Sequence, residues 1–348
     1  QKCPQLPKGC AAELAFILGM ASHSIADQVF DGLFMEIARV QDKEGWSDSL
    51  LTSLDTMSDI LWAAGQGAAD SPEAWMPLDD ILQAFGQVGL EVSAEKIKDG
   101  QMLLLTGVLG YVRNGAKDPN KVADAKSRYP WSAAHLDDPH TPGSPFCEGR
   151  MVAAYWQHLW NEWQAGTPGP LEVFATVPSD GGYVPSAGPD DARGYLALVF
   201  SRGIRLDSLR AERFSVRGPS GQPVDVDVDL FYGNSAQMVR IKPKKVWPSG
   251  SLQVVVQAGA VQSFDGQKML QDMSFQAQVA GLVTVEPGAP PPKWSLAVPT
   301  KEAKDSGCST FGDPLNTSGP SGHIAFGLLF VAVGLIAARR RRDPGLGS

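Results

Sequence analysis

The chain of 348 residues is predicted to be multidomain: an all-α N-terminal part, an all-β sandwich, a disordered linker and a short hydrophobic C-terminal helix. Three observations carry this prediction. Apolar residues recur at helical spacing as far as Gln164. After Gly166-Thr167-Pro168-Gly169-Pro170 the period changes to two. From Glu286 the chain becomes rich in Pro, Gly and Ser, and it ends in an apolar stretch, 324–338, capped by arginines at 339–342. The expected boundaries are 1–165 for the helical domain, 169–283 for the sandwich, 284–322 for the linker and 323–348 for the tail.

The first element is expected over 11–41, where Leu14, Leu18, Ile25, Val29, Leu33 and Ile37 follow helical spacing. Further helices are expected over 46–64, 78–88 and 94–110. A polar, Pro-rich stretch over 118–149 reads as irregular, and a last helix is expected over 151–164. Trp156, Trp160 and Trp163 fall on one face of that helix and are expected to pack in the core. In the β region Leu196, Leu198 and Phe200 alternate with small or solvent-side residues. The run 224–230 alternates Val and Asp, so Asp225, Asp227 and Asp229 are expected on the solvent face of a half-buried strand, protecting a sheet edge. Strands at 239–241, 252–256 and 275–279 follow, with turns at Gly218-Pro219, Pro248-Ser249-Gly250 and Asp265-Gly266. Pro290-Pro291-Pro292 makes part of the linker a stiff spacer.

Composition excludes some functions. The formal net charge is −8, and no basic patch with interleaved aromatics occurs, so no nucleic-acid partner is expected. Cys3 and Cys10 flank a Pro-rich loop; they pair in an oxidising compartment or remain thiols. Cys147 has no obvious partner. No CxxC pair is present, which argues against a cysteine zinc site. A helical pattern already under way at Ala11 leads to the expectation that sequence precedes Gln1.

The first helix carries His23, Asp27 and Asp31 at i, i+4 and i+8, on one helical face. The second carries Asp55 and Asp59, again four apart. An imidazole and carboxylates converging on one side are a donor set for zinc. The competing reading is a set of helix-stabilising surface pairs. His135, Asp137, Asp138 and His140 form a second run of metal-ligating types, but Pro139 and Pro142 suit a plain turn there. No serine triad order, phosphate-binding loop or dinucleotide fingerprint is present.

Three stretches resemble known families. Residues 170–282 resemble the bacterial Ig-like domain of S-layer and other surface proteins. The match is carried by Phe200-Ser201 with Ile204 and Leu206, by Phe214-Ser215-Val216, by Ile241-Lys242-Pro243, and by Gly259-Ala260-Val261 leading to Asp265-Gly266. That resemblance implies a stalk or adhesive spacer without chemistry. The run Phe16-Ile17-Leu18-Gly19-Met20-Ala21-Ser22-His23, with Asp27 four residues on, resembles the zinc-dependent phospholipase C family, which includes the N-terminal domain of the glycosylphosphatidylinositol-specific phospholipase D. Asp31 stands where a His often occurs, and Leu51 where a His is expected on the later metal-binding helix. The resemblance implies zinc held by His23, Asp27, Asp31, Asp55 and Asp59, with Asp55 as ligand or general base, in a phosphodiesterase acting on phospholipid head groups at a membrane surface. With the site degenerate, the same helices would form a non-catalytic surface or adhesion domain.

The tail is about 15 residues of apolar chain, roughly 22 Å as a helix, against a bilayer core of about 30 Å. With Cys308 upstream and the arginines downstream it resembles the C-terminal sorting tails of myxobacterial-type surface proteins. That implies export, anchorage at the outer surface of a Gram-negative-type cell, a sorting machinery as partner, and Cys308 as the processing or lipid-attachment residue. A short single-span anchor is the alternative.

Overall fold

The computed structural model describes residues 8–66, 75–87, 89–166, 169–233 and 236–280. The linker, the apolar tail, its arginines, Cys308 and the possible Cys3–Cys10 pairing fall outside the described residues. An N-terminal helical region is followed by a C-terminal region of β-sheet.

Helix α1 spans Lys8–Val29 and runs on through a π-helical turn at Phe30–Met35 into α2, Glu36–Gln41. Of its predicted core face, Ile25, Val29, Leu33 and Ile37 are buried and Leu14 and Leu18 half-buried, and Phe34 and Ala38 join the buried set. Helix α3, Leu54–Gln66, starts later than the expected 46–64. Hydroxyls hold the intervening residues in local bonds instead. Ser47 Oγ and Thr52 Oγ1 lie 2.8 Å apart, Thr56 Oγ1 donates to Leu50 O at 2.6 Å, and Ser53 Oγ accepts from Thr56 N. Such short side chains compete with helical backbone bonds and favour caps.

Helix α4, Leu78–Gln87, matches expectation, whereas α5, Ala94–Met102, ends before the expected 110. A second π turn, Leu103–Val108, leads to α6, Leu109–Lys117. The stretch 118–149 is not irregular as expected. It holds α7, Pro119–Arg128, and α8, Pro130–His135. Asp118 caps α7 by accepting from Asn120 N at 2.9 Å, and Pro119 supplies the pre-set φ of a first helical turn. Helix α9, Pro145–Ala165, is capped by Ser144 and closed by Gly166 at φ +68°.

The chain divides into two compact units, and their border does not follow the expected change at 165–169. One unit takes the start of α1, to Ser24, and Trp46–Ala133. The other takes Ile25–Gly45 and the chain from Ala134 through the sandwich. In the first unit, Leu54, Met57, Ile60 and Ala63 of α3 are buried, and α3 packs on α6 and α7. Tyr129 Oη donates to Thr52 O at 2.7 Å, and Tyr111 Oη to Leu51 O at 3.2 Å.

The second unit is built on two sheets. Strands β1 (Val173–Val177), β2 (Gly182–Pro185), β3 (Leu196–Phe200), β4 (Phe214–Arg217), β5 (Pro223–Val224), β6 (Val226–Leu230), β7 (Met238–Pro243), β8 (Gly250–Val256) and β9 (Met273–Ala280) form orders β1-β3-β7-β6 and β2-β9-β8-β4-β5. All pairs are antiparallel except β2 with β9. Leu196, Leu198, Phe200 and Ile241 from one sheet meet Val216, Leu252, Val254, Phe275 and Ala277 from the other in one core. Ala197 and Val199 are buried as well, contrary to the expected solvent-side alternation. The outer face of the first sheet is covered by the helical segment of the same unit. Gln28 Oε1 accepts from the backbone N of Gln237 at 2.7 Å and of Met238 at 3.0 Å, and Gly32 O accepts from Arg240 at 3.3 Å.

Strand β6 lies at the sheet edge, and its acidic residues pair across to β7. Asp229 meets Arg240 at 2.9 Å and Lys242 at 2.5 Å, and Asp227 meets Lys244 at 3.2 Å. Burial alone would push the Asp229 carboxyl up, but hydrogen bonds from Arg240 and Lys242 outweigh it and hold it below the usual carboxylate range. A carboxyl depressed in the folded state contributes stability that is present above its unfolded value, about 4, and is lost as pH falls through the folded value. Asp229→Asn is therefore expected to cost on the order of 1 kcal/mol at neutral pH, after allowing for solvent screening. The cost should shrink at pH 3 in urea titrations of both proteins; an equal cost at both pH values would remove the ion pairs as its cause.

Candidate functional site

The residues of the expected zinc site are all half-buried, and they fall in both units. His23, Asp55 and Asp59 belong to the first; Asp27 and Asp31 belong to the second. His23 and Asp27 lie in the regular part of α1, one turn apart. Asp31 lies in the π turn that begins at Phe30, so the α-helical spacing that aligns the first two does not continue unchanged through the third. Asp55 and Asp59 sit in the first two turns of α3. Among the described residues, no group of three or more His, Cys, Asp or Glu is placed to hold a metal ion. Leu51, where the later His was expected, is 51 % exposed.

Burial acts on two of these side chains. It lowers the His23 imidazole from its ordinary value to about 4, so that it is neutral at pH 7. It raises the Asp55 carboxyl to about 6, so that most of it is ionised at pH 7. Perturbed groups mark functional candidates, but only where a donor set or a cleft gathers around them.

The second metal-type run is a turn. Asp138 accepts from His140 N at 2.9 Å and from Thr141 Oγ1 at 2.8 Å, which commits its carboxylate to the loop. His158 packs against Tyr155 and Phe174, with ring centroids 6.4 Å from each, and its nitrogens reach Glu162 at 3.4 Å and Glu172 at 3.3 Å. The tryptophans of α9 do not form its core face. Trp163 is 44 % exposed, while Met151 and Tyr155 are the buried residues of that helix. The core face of α9 is therefore not the aromatic stripe that the spacing picks out.

One concave feature has no sequence signature. Helix α9, the loop before it and the end of β1 enclose a small cleft lined by Cys147, Met151, His140 and Ser179. No spacing rule brings them together, because His140, Cys147 and Ser179 come from three separate segments. Among the described residues, no helix is long and apolar enough to cross a membrane.

No model of a known protein family matches the chain, and no curated protein matches it. Solved structures show partial likeness. The methionine-rich copper resistance protein PcoC from Escherichia coli is 17 % identical, with 32 % of this chain and 100 % of that chain covered at a TM-score of 0.25. CopC from Methylosinus trichosporium OB3b is 15 % identical, with 33 % and 99 % covered at 0.24. The N-terminal part of the bacterial S-layer protein SbsC is 9 % identical, with 70 % and 57 % covered at 0.25. At these scores the likenesses carry no argument.

Proposed function

We propose that the chain is an exported, non-catalytic surface protein, in which the sandwich serves as an Ig-like spacer and the helical unit as a structural or binding module. The observation that carries this reading is the lack of a gathered donor set among the described residues. Zinc needs about four donors at roughly 2.0–2.3 Å. His23 and Asp27 lie one turn apart on α1, Asp55 and Asp59 one turn apart on α3, and no group of three or more His, Cys, Asp or Glu is placed for a metal among the described residues. That arrangement supports a reading without the zinc that the family resemblance implies. The spacer role is supported by the filled core between the two sheets and by the ion-paired edge of β6. Export is supported by the apolar stretch at 324–338, by the arginines after it, and by Cys308 as a candidate attachment point. Under this reading the partners are a membrane surface and a sorting machinery.

A second reading keeps one specific observation in its favour. Burial has moved both His23 and Asp55 toward their neutral forms, as in hydrolytic sites. It would make the protein a cell-surface zinc-dependent phospholipase C-like phosphodiesterase. Metal analysis of the full-length secreted protein, with assay on phosphatidylcholine vesicles, separates the two. The expected result is less than one zinc per chain and no head-group release. At least one zinc per chain, with hydrolysis abolished by His23→Ala, would replace the first reading by the second.

A further inference from the structure

Cys147 is a free thiol in the first turn of α9, its backbone N–H directed to Ser144 Oγ at 3.4 Å. Met151 follows one turn later, on the same helical face. His140 is brought alongside by the turn that Asp138 holds. The three side chains line one cleft of about 30 Å³. That is room for about two water-sized spheres. Organic ligands need pockets on the order of 300 Å³ or more, so the occupant is an ion or water.

Another side chain in the cleft points to a ligand independently of the cysteine. Ser179 is 6 % exposed, and its hydroxyl has no hydrogen-bond partner among the described residues. Buried hydroxyls are almost always satisfied, so the occupant of the cleft has polar character.

We propose that this cleft binds one soft monovalent cation of the Cu(I) type, with Cys147 Sγ, Met151 Sδ and the His140 imidazole as donors. Two of the three donors are sulfur, and a thioether is a poor ligand for hard cations, whereas thiolate and thioether together select Cu(I). Charge balance favours the same choice. A thiolate and a monovalent cation sum to zero, so the pair suits a largely apolar wall. A divalent ion would leave net charge beside Arg150, which also lines the cleft. On binding, the Cys147 S–H bond breaks, a sulfur–metal bond forms and the proton leaves to solvent. The cleft opens beside the exposed Pro139, which gives the ion a route in. This inference is independent of whether the helical unit is catalytic.

The test uses the full chain with Cys3→Ser, Cys10→Ser and Cys308→Ser, so that Cys147 is the sole cysteine. Anaerobic titration with Cu(I) against a chromophoric chelator should give one ion per chain. Cys147→Ser should abolish binding, and Met151→Leu or His140→Asn should each weaken it by at least about tenfold. Absence of stoichiometric binding would assign the cleft to water and overturn the proposal. Binding untouched by Met151→Leu and His140→Asn would mean a bare thiol and would also overturn it. Should a variant fail to fold, the three-serine parent carries the test alone. Its Met151 methyl resonance, labelled with carbon-13, should shift on addition of one equivalent of Ag(I); an unmoved resonance rejects the thioether ligand.

Discussion

Gly143→Ala is expected to destabilise the sandwich unit by about 3 kcal/mol, summed from a left-handed backbone of about 1 kcal/mol and an overpacked contact of about 2 kcal/mol. Gly143 has φ +76°, where a side chain is strained whatever the space around it. Space is also lacking. A Cβ there would lie 2.5 Å from Phe34 N, 2.6 Å from Val29 O and 3.0 Å from Leu33 Cβ. Two of these are backbone atoms in the buried helical segment, so the obstruction cannot swing aside as a side-chain tip would. Gly181 is the control. Its φ is +75°, yet nothing lies within 4 Å of the place its methyl would take. Gly181→Ala should therefore cost about 1 kcal/mol, the backbone part alone. Urea unfolding of both variants isolates the close approach as the difference. Equal losses would mean that the loop at Gly143 moves off the helix freely, and that the packing of Val29 and Leu33 there is not fixed.

That close approach also explains which parts of the molecule are legible in the sequence. The buried face of α1 follows from spacing alone, because Ile25, Val29, Leu33 and Ile37 obey one period through the buried stretch. The strands β3, β6, β7, β8 and β9 are legible for the same reason. Helix α7 is hidden although Asp118-Pro119 is a helix start signal, because the Pro-rich composition around it reads as irregular chain. The unit border is not legible at all. Nothing in the periodicity of 25–45 says that it covers a sheet rather than other helices; that depends on Gln28 and Gly32 meeting β7 some two hundred residues later. The π turn that holds Asp31 is not announced by the spacing of His23, Asp27 and Asp31. The cleft at Cys147 needs the tertiary fold, since its donors share no sequence period.

Gln28→Leu is the complementary experiment, directed at the polar side of the same junction, and is expected to cost about 3 kcal/mol. Gln28 is 3 % exposed, and its Oε1 accepts from two backbone N–H groups, those of Gln237 at 2.7 Å and Met238 at 3.0 Å. Leucine has a similar volume, so the substitution leaves little cavity and tests the hydrogen bonds more than the packing. Both amides stay buried without an acceptor, and each unsatisfied group costs about 1–3 kcal/mol. The effect should be local as well as global. Gln237 N–H and Met238 N–H lie at the entry to β7, whose pairing with β3 centres on Leu198 with Val239 and Leu196 with Ile241. Amide hydrogen exchange should therefore accelerate first at Gln237 and Met238, ahead of Val239 and Ile241. Unchanged exchange at those two amides, with stability within about 0.5 kcal/mol of the parent, would mean that water replaces the glutamine and that the helical segment is not locked to the sheet through it. Accelerated exchange across all of β7 at once would instead mark the helical segment and the sheet as one cooperative unit, held together at Gln28 as much as by the apolar face of α1.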